Sequence, residues 1–277
     1  MTAPPRWAVG IFDLKLPVLV ALVLFTALVL LLIFVAKRRP NMYIRPLAGI
    51  TAIEEAIGRA TEMGRPVLYV PGIDDVNNIQ TIYSMVILEH VAKKVAQYGT
   101  PLIVPTCRAF VTPMAEETVK QGFTNAGSPE LWHDGIVRYM SDEQFAFTAA
   151  TNGIILRERP AATLLMGSFY AESLMLAETG FMAGSIQVAG TANIHQLPFF
   201  VVACDYTLIG EEFFAATAYL SREPSLLGTI KAQDGFKAMI LAFLMAGLFV
   251  ETLAWLGVPV PAAADGIHTV LYDWLRF

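Results

Sequence analysis

The chain has 277 residues, 55% of them hydrophobic, with a mean hydropathy of +0.54 and a net charge of −5. That is too apolar for an all-soluble chain and too polar for a transporter of many spans. The charge is uneven: residues 46–230 carry ten Lys/Arg against nineteen Asp/Glu, a net −9. An acidic middle argues against nucleic acid, whose phosphates need clustered cations.

In chain order, residues 1–15 contain Trp7 and Phe12 and are expected to form an interfacial segment. Leu16 to Ala36 is one uncharged apolar run. As a helix it spans roughly 31 Å, the thickness of a bilayer's hydrocarbon core, so 16–36 is predicted as a first transmembrane helix. It exceeds a signal-peptide apolar region, and retention is expected. Residues 37–45 form a basic neck carrying Lys37, Arg38, Arg39 and Arg45.

Residues 46–222 alternate helical and strand-like periods. Helix-like 53–63, 79–97, 113–125 and 144–157 intervene among the apolar runs Val67–Val70, Leu102–Val104, Ile136–Met140 and Thr163–Met166. Ser141 with Gln144 reads as a capping box. A helix over 168–179, a run at 184–188, a strand at Phe199–Ala203 and a helix from Asp205 to about Leu220 complete the pattern. Short apolar runs separated by amphipathic helices predict an α/β, Rossmann-like three-layer domain with a mainly parallel sheet.

A linker is expected over 223–235, then a second transmembrane helix over 236–258. Ala238, Ala242 and Ala246 recur every fourth residue, a stripe that lets membrane helices pack closely. Glu251 inside this span either snorkels or meets another helix. Residues 259–277 read as an amphipathic helix, lying on the outer leaflet or docking another subunit. Cationic flanks inside the pair of spans place both termini outside and the middle in the cytoplasm of a cell's inner membrane. Cys107 and Cys204 read as small buried residues of a reducing compartment.

Open α/β sheets bind ligands at the carboxyl ends of their strands. The candidate ligand-binding residues there are Gly72, Asp74, Asp75, Ser168, Tyr170, Glu172, Thr191, His195 and Asp205. Each also has a structural use at a strand-to-helix turn. The chain has no G-x-G-x-x-G after the first strand, no P-loop, no nucleophile elbow, and no H-E-x-x-H or C-x-x-C. No cofactor or metal is therefore expected and no catalytic residue is assigned, although Asp74, Glu172, Asp205 and His195 could converge as acid/base groups or ligands of a hard cation. The chain reads as a membrane-anchored scaffold or accessory subunit. Its expected partners are the lipid bilayer and either further copies of itself or a larger membrane assembly. The alternative is an enzyme or sensor holding a small ligand at the strand ends.

The strings VLYVPGIDD, TPLIVPT, SDEQFAF, RERPAATLLMGSFYAES, QLPFFVVACDYTLIGEE and AYLSREP together resemble a family of membrane-anchored prokaryotic proteins. Their shared part is a domain of unknown function. The resemblance covers about 46–224, implies a membrane-tethered cytoplasmic α/β domain, and transfers no catalytic residue.

Overall fold

The computed structural model describes residues 16–38, 48–221 and 223–255. Contacts divide the chain into a helical unit from its two ends and an α/β unit over Tyr43–Ser221.

In the α/β unit, apolar runs too short for helices pair into one sheet. Its strands are β1 (Val67–Gly72), β2 (Leu102–Thr106), β3 (Val137–Tyr139), β4 (Ala162–Ser168), β5 (Ile186–Thr191) and β6 (Tyr206–Ile209). The order is β3-β2-β1-β4-β5-β6 and every neighbouring pair is parallel. This is a doubly wound, Rossmann-like order, reversing direction between β1 and β4. With α1 (Leu16–Arg38) in the other unit, the layers use α2 (Ala48–Met63), α3 (Ile79–Tyr98), α4 (Val111–Ala126), α5 (Gln144–Glu158), α6 (Glu172–Met182), α7 (Leu197–Ala203) and α8 (Glu211–Ser221).

Successive side chains of a strand point to opposite faces, and the core divides accordingly. Val67, Tyr69, Val104, Leu164 and Val188 pack with α2, α3, α4 and α8. Leu68, Val70, Ile103, Leu165 and Ala189 pack with α5, α6 and α7. Burial on both faces explains why β1 and β4 are continuous apolar runs.

One polar chain crosses the first layer. The buried Tyr69 hydroxyl lies 2.6 Å from the Ser84 carbonyl and 2.9 Å from Ser84 Oγ, which donates to the Met166 carbonyl at 2.7 Å. Tyr69→Phe removes one member and leaves the buried Ser84 carbonyl without that donor. A loss of about 1–3 kcal/mol is expected in urea denaturation, with an unchanged slope.

The structure corrects three local readings. Phe199–Ala203 is not a strand but part of α7, which has Pro198 in its first turn and only Phe200 fully buried. Periodicity cannot separate so short an apolar run from a helical turn. The edge strand is instead Tyr206–Ile209, between Asp205 and Gly210. Ser141 does not cap α5; Glu143 does, its carboxylate accepting from the Phe145 and Ala146 amides, while Ser141 Oγ accepts from the Glu143 amide. Finally, the segment read as a linker, 223–235, is helical from Pro224 onward, as part of α9 (Pro224–Trp255).

In the helical unit, α1 and α9 pair antiparallel. Phe25 stacks on Phe236 with ring centroids 4.9 Å apart, and Gly228 lies against the Ile33 backbone so closely that an added Cβ would sit 2.6 Å from its Cα. The close approach therefore uses Gly228, whereas Ala238, Ala242 and Ala246 are exposed. Extended along both helices, this register sets 16–36 beside about 226–246 rather than 236–258. Lys231, Asp234 and Lys237 then lie alongside the uncharged run of α1. Within α9, Pro224–Phe249 is long and apolar enough to cross a membrane; in α1 the described apolar stretch is Leu22–Val35. Glu251 falls one turn before the end of α9. The expected interfacial segment 1–15, all of the neck beyond Arg38 that was read to 45, and the tail helix 259–277 lie outside the described residues.

Candidate functional site

The reversal of strand order between β1 and β4 opens the place where such sheets hold ligands. Two glycines let the strand ends cross there. Gly72 has φ +90 and its missing Cβ would meet the Ser168 carbonyl oxygen at 2.5 Å. Gly167 has φ +139, and its Cβ would meet the Pro71 carbonyl oxygen at 2.3 Å. The Ile73 amide then donates to the Ser168 carbonyl at 3.0 Å, closing the junction.

Around that junction the polar side chains hold one another. Asp74 Oδ2 accepts from Asn78 Nδ2 at 2.6 Å and from the Tyr170 hydroxyl at 3.1 Å. Asn78 meanwhile caps α3, accepting from the Gln80 amide at 2.9 Å. Gln80 Oε1 accepts from the Ala192 amide at 2.8 Å and from the Thr191 hydroxyl at 3.3 Å, tying α3 to the end of β5. Asn193 Nδ2 donates to the Phe169 carbonyl at 2.8 Å and, at 3.4 Å, to the buried Ser168 hydroxyl. On the other side Arg108 donates through Nε to the Ile73 carbonyl and through Nη1 to the Asp142 carbonyl, both at 3.0 Å. Burial and, after it, the Asp74 carboxylate push the Tyr170 phenol above its ordinary value, with the Ser168 hydroxyl opposing.

Glu172 is fully buried at the start of α6. Its Oε1 accepts from the Tyr170 amide at 2.8 Å, and its Oε2 accepts a short hydrogen bond from Gln144 Nε2. Among the described residues it is the one buried charged side chain. A carboxylate at a helix N-terminus is well placed for the helix dipole. No group of three or more His, Cys, Asp or Glu among the described residues is placed to hold a metal ion.

Of the expected ligand residues, Gly72, Asp74, Ser168, Tyr170, Glu172 and Thr191 gather around the ends of β1, β4 and β5. Asp75 accepts from the Val76 amide at 2.7 Å, shaping its own turn. His195 is exposed in the loop before α7. Asp205 is at the wrong end of the sheet: it precedes β6, accepts from the Gln187 amide at 2.7 Å, and lines a cleft of about 270 Å³ with Glu55, Arg59 and Tyr206. The misplacement follows from reading α7 as the strand. Gln80 and Gln144 escaped sequence reasoning because each reaches from the first turn of a helix to another element, a contact that no local spacing encodes.

Neither thiol is poised for chemistry. Burial pushes Cys107 up to about 11, and burial together with the Asp205 charge pushes Cys204 up to about 12. At pH 8 only about a thousandth of Cys107 is thiolate, so iodoacetamide should label the native protein at least ~50-fold slower than a free cysteine. Denaturation should restore the ordinary rate, with both measured by mass spectrometry.

Neither a curated protein nor a solved structure gives a significant match to the chain. A family model described as a domain of unknown function, DUF6754, matches residues 9–259. The match is wider than the resemblance over 46–224, since it takes in α1 and α9 as well as the α/β unit. The chain therefore belongs to the DUF6754 family.

Proposed function

We propose that this chain is a membrane-tethered, non-enzymatic docking module, with α1 and α9 as its anchor and the α/β unit as its platform. One observation carries the reading: the polar side chains at the strand ends bond chiefly to one another. Asp74 has two donors, Glu172 has two, and Gln80, Asn78 and Asn193 are spent on backbone and side-chain bonds. General acid–base chemistry needs a group with one face open to substrate, and Glu172, the buried carboxylate here, has a donor on each of its oxygens.

The anchor is supported by the uncharged run of α1 and by the apolar length of α9. Lys231, Asp234 and Lys237 are spaced three residues apart, so each lysine of α9 lies within one helical turn of a carboxylate. Antiparallel pairing means that the chain leaves α1 and enters α9 at one end of the hairpin. Lys37 and Arg38 lie at that end, so the positive-inside rule assigns the α/β unit to the cytoplasm and both termini outside. The protein should stay in the pellet after a carbonate wash and resist protease outside sealed right-side-out vesicles. Nucleotides, dinucleotides and divalent cations should leave the melting temperature unchanged; a rise of several degrees with any of them overturns the non-enzymatic reading.

The strand order favours a second reading, a sensor or enzyme taking a small ligand between β1 and β4. That ligand would have to displace the Asn78–Asp74–Tyr170 contacts, so Tyr170→Phe should then change its affinity.

A further inference from the structure

We infer that the outer face of α6 and α7 is a self-association surface whose occupant is a second copy of this chain, which specifies the partner of the docking reading and rests on it. A surface helix ordinarily buries one apolar stripe and shows polar residues outside. In α6 both faces are apolar: Leu176 and Ala177 are buried, while Leu174, Phe181 and Met182 are exposed. Beside it, α7 buries Phe200 and exposes Val201 and Val202, with Ile194 just before it. Exposure reaches 74% at Phe181, 76% at Ile194 and 88% at Val202.

These six side chains offer on the order of 800 Å², about what each partner of a standard interface gives up. Soluble surfaces seldom leave so much apolar area uncovered.

Charge decides between a second copy and a bilayer. Residues 171–204 contain no Lys, Arg or Asp, and Glu178 is the exposed carboxylate among them. Two acidic units repel over most of their surface and can approach through this nearly uncharged face. An anionic headgroup layer would find no cation there to hold it, and an acidic domain behind. The sheet edges are poor alternatives, because β3 and β6 have only three and four residues. A two-fold contact needs one patch complementary to itself, and the neighbouring outer faces of α6 and α7 offer a single apolar patch that each copy can present to the other.

The test uses the full-length chain purified in detergent and in nanodiscs, with mass measured by light scattering. Wild type should be a dimer, and Phe181→Glu/Val202→Glu should weaken association at least 30-fold while the melting temperature stays within a few degrees, since both positions are exposed. Val202→Cys should form a disulfide-linked dimer under mild oxidant, whereas Met63→Cys, on exposed α2 surface of the other layer, should not. A dimer that persists in the double variant, with no crosslink at 202, overturns this face but leaves docking through other surfaces, such as the Ala238–Ala246 stripe. A wild-type monomer at every concentration overturns both. A dye on Val202→Cys that shifts to the blue on anionic vesicles, in a monomeric chain, assigns the face to lipid and overturns the second copy.

Discussion

Gly167→Ala should cost at least about 4 kcal/mol and leave little folded protein, the largest effect of any single methyl in the α/β unit. The added Cβ would sit 2.3 Å from the Pro71 carbonyl oxygen and 2.9 Å from its carbon, both backbone atoms. Neither strand can step aside. β1 and β4 are the central pair, in register from Val67 with Ala162 to Val70 with Leu165, and each is held by a further neighbour. The residue also has φ +139, where an L side chain is strained by about 1–3 kcal/mol before any contact is counted. Gly58→Ala is the control: Gly58 lies within α2 with nothing within 4 Å of its Cβ, so the change should stabilise by about 0.5–1 kcal/mol. Urea denaturation of both variants checks the pair. A well-folded Gly167→Ala protein would mean that the β1 and β4 ends are less tightly apposed than these distances require.

How much of this was legible in the chain depended on whether the information was local. Val67–Val70 and Thr163–Met166 announce buried parallel strands by apolar runs between helical stretches, and both became central strands. The segment Leu197–Ile209 misled, because five apolar residues fit one turn of helix as well as a strand, and the true strand is an exposed edge with little apolar signal. That single exchange moved Asp205 from the ligand end of the sheet to the other. Gly72 was recognisable as a strand-end residue, but its partnership with Gly167 was not, since it arises only when β1 and β4 become neighbours. The same holds for the site. Asp74, Tyr170 and Glu172 were identifiable as polar residues at strand ends, whereas their engagement by Asn78 and Gln144 required the tertiary fold. Between the end helices, the close approach lies at Gly228, with the buried Ala232 one turn on, while the alanine repeat is exposed in the single chain.

Glu172→Ala should destabilise by about 2–5 kcal/mol, while Glu172→Gln should cost only about 1 kcal/mol. Truncation to alanine strips the acceptor from the Tyr170 amide and from Gln144 Nε2 in a site with no exposure, and opens a cavity as well. Glutamine keeps the shape and one carbonyl oxygen. That oxygen can still accept from the Tyr170 amide, and rotation of the Gln144 amide turns its own oxygen toward the new NH2 group. The two requirements then remain met without a charge. If Glu172 served as an acid or base, the isosteric variant would fold normally and lose function by orders of magnitude, because its amide cannot exchange a proton near neutral pH. Chemical denaturation of both variants tests the structural role, and an activity lost in a normally folded glutamine variant would assign the carboxylate to chemistry instead. The alanine variant should unfold at markedly lower urea, and the glutamine variant should unfold slightly below wild type and associate as it does, since the substituted side chain is buried and not on the outer face of α6.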